Sequence, residues 1–215
     1  MNGAQDPEPA PAGRPLSTRK LAVALCLQFA VFALIGLALW SWSGRPLADF
    51  VRLSPDAILP GLALGGSLIA AAYFGFKIFP RISERFVRMQ SKTYGFLGDR
   101  LSLPMIVLIS IGAGVGEEAL FRGGLQTLLI DYLGPLAGIL IASALFAVIH
   151  LSKPPIMGII FAIGLLFETI YYATGNLVLV MIAHAAYDVF ALHYLMKEMR
   201  RLGCLSGGGG EAPAR

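Results

Sequence analysis

Long apolar blocks separated by short polar stretches dominate the pattern of this chain. The blocks cover residues 21–42, 57–79, 101–130, 133–151, 156–173 and 177–196. A helix that crosses the hydrocarbon core of a bilayer needs about 20 mostly apolar residues, whereas the elements of a soluble core show alternating or amphipathic periodicity. The pattern therefore predicts an all-α fold, a polytopic membrane bundle of about six transmembrane helices.

The polar stretches divide the chain into regions. Residues 1–18 and 203–215 are rich in small residues and proline, and we expect both to be disordered tails. Residues 19–100 contain the first two spans and a basic loop, and residues 101–197 form a core with the remaining spans. Within the loop, residues 81–100 are basic and weakly amphipathic. They are either a solvated loop or a helix lying along the anionic inner leaflet.

Composition and charge support a membrane protein and give its orientation. Apolar residues make up 56% of the 215 residues and charged residues 14%, while soluble domains are about a quarter charged. The net charge is +4, but Lys and Arg in a membrane protein mainly orient its loops, so nucleic acid is not an expected partner. With the N-terminus inside, fourteen of the seventeen basic residues are cytoplasmic. Both termini are therefore predicted to be cytoplasmic.

Several ionisable residues interrupt the apolar blocks. They are Glu117, Glu118, Arg122, His150, Glu168, His184 and Asp188. A charged side chain near the centre of a membrane helix costs roughly 2.5 to 3.5 kcal/mol on insertion scales. Such residues usually face the bundle interior, pair with one another and carry function.

Spacing indicates which of these groups pair. Glu118 and Arg122 are four residues apart and share a helix face, so they can neutralise each other. Glu117 lies about 100° around the same helix and is free to meet another helix, where a desolvated carboxylate suits a general base. The alternative is that both acids only neutralise Arg122. We expect Glu168 to be structural, paired with a buried His or hydrogen-bonded to Thr169 or Tyr172.

Two further pairs have the same spacing. Phe146 and His150 place an aromatic ring beside an imidazole, although a lone His at a helix end is usually structural. His184 and Asp188 share a face of the last block, where they can bind a metal together, or the carboxylate can fix the imidazole tautomer. The alternative for this pair is a polar clamp between helices. Cys26 and Cys204 are too few for a disulfide framework or a four-sulfur zinc site.

Three of these pieces together resemble the CAAX prenyl endopeptidase and bacteriocin-processing family (CPBP, also called ABI). The pieces are Glu-Glu-x-x-x-Arg at 117–122, Phe-x-x-x-His at 146–150 and His-x-x-x-Asp at 184–188, with a Thr-Gly-Asn turn at 174–176 before the last. The resemblance covers about residues 100–192. It identifies residues 101–197 as a CPBP-like intramembrane protease core.

The resemblance implies a hydrolase that cleaves a peptide bond of a membrane-associated protein or peptide. Glu117 and His150 would activate a water molecule, and His184 and Asp188 would stabilise the oxyanion. The structural support implied for this site comes from Glu118, Arg122 and Phe146.

The last motif departs from the family's most familiar form, which ends in Asn. An ionised Asp188 would repel an oxyanion, so it is either protonated or orients something positive such as His184 or a metal. Glu117, His150 and His184 also have the composition of a catalytic zinc site. The site is therefore either metal-independent, which we favour slightly, or that of a metalloprotease with a divalent metal such as zinc.

Other classes of protein remain open at this point. Buried acids and histidines also mark transporters and proton relays, and His150 with His184 could ligate a haem. A catalytically inactive membrane scaffold is a further alternative. The expected partners are the lipid bilayer and a membrane-associated substrate. The compact form favours a multi-pass protein of the bacterial inner membrane, where prenylated substrates are not expected.

Overall fold

The computed structural model describes residues 17–95 and 101–205, and these residues form an all-helical bundle without strands. The helices are α1 (Thr18–Trp42), α2 (Ile58–Ile78), α3 (Pro80–Tyr94), α4 (Leu103–Glu118), α5 (Thr127–Leu133), α6 (Pro135–Ile149), α7 (Pro154–Thr174) and α8 (Leu177–Arg201). A π-helical segment, Ala119–Gln126, joins α4 to α5. The predicted fold class is confirmed.

Five helical segments of the described chain are long and apolar enough to cross a membrane. They are Thr18–Trp42, Pro55–Ile78, Leu103–Leu133, Pro154–Thr174 and Leu177–Arg201. The fourth predicted span corresponds to α6, which has only 15 residues. It is shorter than the apolar block because Gly134 breaks the chain at φ 81° and Pro135 starts the new helix. The cytoplasmic location of both termini stays a prediction.

Short polar signals set the ends of the long helices. The Ser17 hydroxyl accepts a hydrogen bond from the backbone N–H of Lys20 and caps α1. Between α7 and α8, Gly175 ends one helix in the left-handed conformation, and the Asn176 side chain caps the next by accepting from the N–H of Leu179. This tight turn makes α7 and α8 antiparallel neighbours and fixes the register of the polar residues that they carry.

Small residues allow the helices around the site to approach closely. At Gly116 on α4, an added Cβ would lie 2.7 Å from the Phe29 carbonyl oxygen of α1. At Gly114, two residues earlier, it would lie 2.8 Å from the Met181 carbonyl oxygen of α8. The end of α4 is therefore held between α1 and α8, as is typical of glycine-rich contacts between membrane helices.

Helix α3 covers the end of the bundle where α8 finishes. Ser83 and Val87 are on its buried face, and the Arg201 guanidinium of α8 donates to Glu84 at 2.8 Å. After α8, Gly203 turns the chain, and Cys204 and Leu205 pack against the cluster that contains Val87. The remaining parts of the two predicted tails, residues 1–16 and 206–215, and residues 96–100 of the basic segment lie outside the described residues.

Candidate active site

Three helices bring the predicted acid and imidazole groups together. Glu117 lies at the end of α4, His150 caps the end of α6, and His184 lies within α8. One carboxylate oxygen of Glu117, Oε2, is 3.8 Å from Nε2 of His150 and 4.0 Å from Nε2 of His184. Three residues spread over positions 117 to 184 of the sequence thus meet around one carboxylate oxygen.

The other nitrogen of each imidazole is held by an oxygen that accepts a hydrogen bond. Nδ1 of His150 lies 2.7 Å from the backbone carbonyl of Phe146, and Nδ1 of His184 lies 2.6 Å from Oε1 of Glu118. A carbonyl and a carboxylate only accept, so we assign a hydrogen to Nδ1 in both rings. Both rings therefore direct Nε2 towards Glu117.

Asp188 completes the polar face of α8. Its Oδ2 is 3.4 Å from Nε2 of His184. His184 thus has a carboxylate oxygen next to each ring nitrogen, Glu118 on one side and Asp188 on the other. Both acceptors are satisfied when both nitrogens carry hydrogens. This contact links Asp188 to His184, one of the two arrangements left open by the sequence.

Aromatic rings wall the imidazoles from one side. The Phe146 ring lies 4.7 Å from the His150 ring and 6.3 Å from the His184 ring, between centroids. The Arg122 guanidinium carbon lies 4.4 Å from the centre of the same phenyl ring, within the range of a cation–π contact. Phe146 therefore lies against both imidazoles and the buried arginine, and its structural role stays a prediction.

Arg122 is the centre of a fully buried ion-pair cluster. Its Nη1 donates to Oε1 of Glu118 at 3.0 Å, and its Nε lies 3.3 Å from Oε1 of Glu168 on α7. Its Nη2 donates to the Gly164 carbonyl at 3.3 Å. All three charged side chains are 0% exposed. The predicted pairing of Glu118 with Arg122 is found.

The expected partners of Glu168 were wrong. The sequence predicted a histidine or the hydroxyls of Thr169 or Tyr172, but the side chain that meets Glu168 is Arg122. Thr169 instead donates to the Leu165 carbonyl, and Tyr172 is 52% exposed. Spacing along one helix cannot reveal that an arginine with a partner on its own helix has a second partner elsewhere.

A cavity of about 610 Å³ lies against the site and opens to the outside of the bundle. Glu117, His150, His184 and Asp188 all line it, beside apolar side chains of α1, α7 and α8. Glu117 is 13%, His150 26% and Asp188 25% exposed. These side chains therefore border the cavity, while the Oε2 atom of Glu117 is itself buried and has no hydrogen-bond partner among the described residues.

Three polar residues near the site were missed by sequence reasoning. Gln90 and Tyr94 of α3 line the cavity, and burial together with the negative charges of Glu117 and Asp188 raises the pKa of the Tyr94 hydroxyl. Gln126 is fully buried and donates to the Glu168 carbonyl at 2.7 Å. The sequence did offer one indication for Gln126, because it is an uncharged polar residue within an apolar block.

The suggested metal set does not have metal-site spacing. Two ligands of a tetrahedral zinc ion, each about 2.0 to 2.1 Å from the metal, lie roughly 3.3 Å apart. The distances from Glu117 to His150 and His184 are longer, 3.8 and 4.0 Å. No group of three His, Cys, Asp or Glu side chains in the described chain is placed to hold a metal ion.

The fold and the site define an integral membrane protein with a carboxylate and two imidazoles gathered inside its helical bundle. Residues 99–190 match the model of the Rce1-like family, described as type II CAAX prenyl endopeptidase. This match agrees with the resemblance carried by the three motifs, which all lie within residues 99–190.

A bacterial relative matches part of the same chain. It is the uncharacterized protein YpbD of Bacillus subtilis, which is 36% identical over 104 residues. The match covers 46% of this chain and 51% of the relative, so the chain spans about half of that protein's length. No solved structure matches the chain significantly.

Proposed function

We propose that this protein is an intramembrane endopeptidase that hydrolyses a peptide bond of a membrane-associated protein or peptide. The observation that carries the proposal is the position of Glu117, with one carboxylate oxygen within 4.0 Å of two imidazole nitrogens, beside a cavity that opens to the outside of the bundle. The match to a family of prenyl endopeptidases supports the same reaction.

The spacing of these groups suits a bridging water. A gap of 3.8 Å between Glu117 Oε2 and His150 Nε2 is too long for a direct hydrogen bond, but a water oxygen about 2.8 Å from each atom bridges it. His150 carries its hydrogen on Nδ1, so its Nε2 has a free lone pair. Both neighbours then accept from the water, whose own lone pair is left to attack a carbonyl.

Hydrolysis follows from this arrangement. The water oxygen bonds to the carbonyl carbon while Glu117 takes one of its protons, assisted by His150. The C–N bond then breaks, and the proton held by Glu117 passes to the leaving amine. A positioned general base typically contributes about 10²- to 10⁴-fold.

His184 is placed to stabilise the negative charge that forms on the substrate oxygen. With Nδ1–H held by Glu118, its Nε2–H is the donor on the cavity side, and one such donor is worth about 10²- to 10³-fold in rate. Asp188, 3.4 Å from the same nitrogen, orients the imidazole. No step runs through a metal, and we expect chelators to leave cleavage unchanged.

The substrate that fits is anchored in or on the membrane, because the site lies inside an apolar bundle and opens through a largely apolar cavity. The excess of basic residues on one side favours a cytoplasmic opening in a bacterial inner membrane. A bacterial peptide or membrane protein is the substrate class that we favour over a prenylated protein.

The proposal is tested on the purified protein in liposomes. Membrane-anchored peptides of varied sequence, with and without a prenyl group, are incubated with it, and mass spectrometry reads the products. We expect Glu117→Gln to lower cleavage at least about 100-fold, because the amide cannot take a proton from water. Asp56→Asn is the matched control, since Asp56 is exposed and does not line the cavity. Identical products from Glu117→Gln and wild type would exclude the protease.

A further inference from the structure

We propose that Glu168 of α7 is a positioning residue for His184 and acts through Arg122 and Glu118. The expected effect of Glu168 on the cleavage rate rests on the proposed function, whereas its expected effect on the His184 ring does not. Glu168 lies outside the three motifs that carried the resemblance. It is on α7, which contains none of these motifs, so the sequence alone does not connect it to the site.

Four ionisable groups form a continuous buried series. Glu168 Oε1 lies 3.3 Å from Arg122 Nε, and Arg122 Nη1 lies 3.0 Å from Glu118 Oε1. The same Glu118 oxygen lies 2.6 Å from His184 Nδ1. Glu168, Arg122 and Glu118 are 0% exposed, and the His184 side chain is 8% exposed. Charges in such a dry environment influence one another far more than in water.

Arg122 and His184 contact the same oxygen of Glu118, and this makes Glu168 relevant to the site. If Glu118 were the only acid near Arg122, the guanidinium would compete with His184 for that oxygen. Glu168 supplies Arg122 with a second carboxylate and leaves Glu118 available to the imidazole.

The π-helical segment and α7 hold this arrangement in place. Arg122 Nη2 donates to the Gly164 carbonyl at 3.3 Å, and Gln126 Nε2 donates to the Glu168 carbonyl at 2.7 Å. These two carbonyls are one helical turn apart on α7. The Glu168 backbone is therefore anchored by contacts that do not involve its carboxylate, so Glu168→Gln changes the charge with little change in packing.

The experiment reads His184 directly by ¹⁵N NMR of histidine-labelled protein in detergent micelles. The shifts of Nδ1 and Nε2 report the hydrogens on each nitrogen. We expect Glu168→Gln to move both His184 signals, and Glu168→Asp, which keeps the charge, to restore them in part. The exposed His193 of the same helix serves as an internal reference.

Ser143→Ala is the matched control, because Ser143 is also a fully buried polar residue without a hydrogen-bond partner among the described residues. It should leave the His184 signals in place. Glu168→Gln with unchanged His184 signals, whatever its effect on thermal stability, overturns the proposal. A change seen with both variants also overturns it, because loss of any buried polar group would then suffice.

Where cleavage is measurable, Glu168→Gln should lower kcat about 10-fold and leave KM unchanged, because Glu168 does not line the cavity. The double variant Glu118→Gln, Glu168→Gln should be no slower than Glu118→Gln alone, because Glu168 acts through Glu118. If the losses of kcat in the two single variants added up in the double variant, Glu168 would not act through Glu118. The NMR result does not depend on cleavage, so failure of the protease proposal and failure of this one are distinguishable.

Discussion

At the scale of single residues, the site depends on which atom of each side chain is already occupied. Both imidazoles have Nδ1 occupied by an acceptor and present Nε2 to Glu117. Glu118 and the Phe146 carbonyl therefore determine which nitrogen of each ring carries the hydrogen, although neither contacts the Nε2 atom that faces Glu117. Second partners of this kind commonly orient a histidine and fix its tautomer.

The buried pair of Glu118 and Arg122 should matter much more than an exposed pair of the same type. We expect Glu118→Ala to lower protein yield and the free energy of unfolding by about 3 kcal/mol, because it removes a partner of a buried charge. Arg45→Gln is the comparison, since Arg45 pairs with Asp131 where both side chains are about one-third exposed, and it should cost less than about 1 kcal/mol. Thermal unfolding in detergent measures both, and equal losses would contradict the expectation.

A pH-dependent contact holds α3 to α8. The Arg201 guanidinium holds the pKa of Glu84 below its ordinary value. A lowered pKa in the folded state means that the stabilisation is complete above the ordinary glutamate pKa and is lost as pH falls through the lowered one. Hydrogen exchange of the α3 amides should accelerate in that acidic range. Arg201→Gln should remove this pH dependence. If the hydrogen exchange of that variant depended on pH as in the wild type, groups other than Glu84 and Arg201 would be responsible.

Sequence spacing predicted contacts within a helix better than contacts between helices. The i, i+4 pairs Glu118–Arg122 and His184–Asp188 are in contact because both members share one helix face. The link between Glu118 and His184 and the pairing of Glu168 join different helices. Helix periodicity contains no information about which faces of separate helices meet, so these contacts could not be predicted.

At the scale of elements, the π-helical segment explains part of that limit. A helical wheel with 3.6 residues per turn describes α4 up to Glu118, but i→i+5 hydrogen bonding over Ala119–Gln126 changes the rotation per residue. The face on which Gln126 lies is therefore not the one that the α-helical pattern predicts. π-Helical segments of this kind occur frequently at functional sites.

Close approach of α1 and α4 gives a prediction for this pair of elements. Gly116→Ala places a methyl group 2.7 Å from a backbone oxygen of α1, which cannot rotate away, so we expect the free energy of unfolding to fall by about 1 to 3 kcal/mol. Gly66→Ala on α2 has open space around the new Cβ and should be neutral or stabilising by up to about 1 kcal/mol. Chemical or thermal unfolding of both variants checks the contrast. Similar effects would mean that the contact does not limit packing.

At the scale of the whole molecule, the six hydrophobic blocks predicted the order of the apolar helices, because lipid demands a stretch of apolar residues for each crossing. They did not predict the number of spans, since five segments of the described chain are long and apolar enough to cross a membrane. The location of the break between α5 and α6, and hence the short α6, depended on the backbone at Gly134. The sequence placed this break a few residues earlier, between the blocks that end at residue 130 and begin at residue 133.

The orientation predicted from basic residues is tested by labelling. In a Cys26→Ser, Cys204→Ser background, a membrane-impermeant maleimide should label Leu47→Cys in intact cells and Lys197→Cys only after lysis. Leu47 is 57% exposed and Lys197 is also exposed, so access is not limited by the protein. The opposite pattern would place both ends of the described chain outside.

The short α6 has a consequence for the membrane itself. Its 15 residues span about 22 Å at 1.5 Å per residue, whereas the hydrocarbon layer is about 30 Å thick. Lipids next to this helix must thin, or water must enter beside His150, to relieve the hydrophobic mismatch. In the proposed reaction, acyl-chain length would therefore help to determine how far a peptide bond must descend from the headgroups before it meets Glu117.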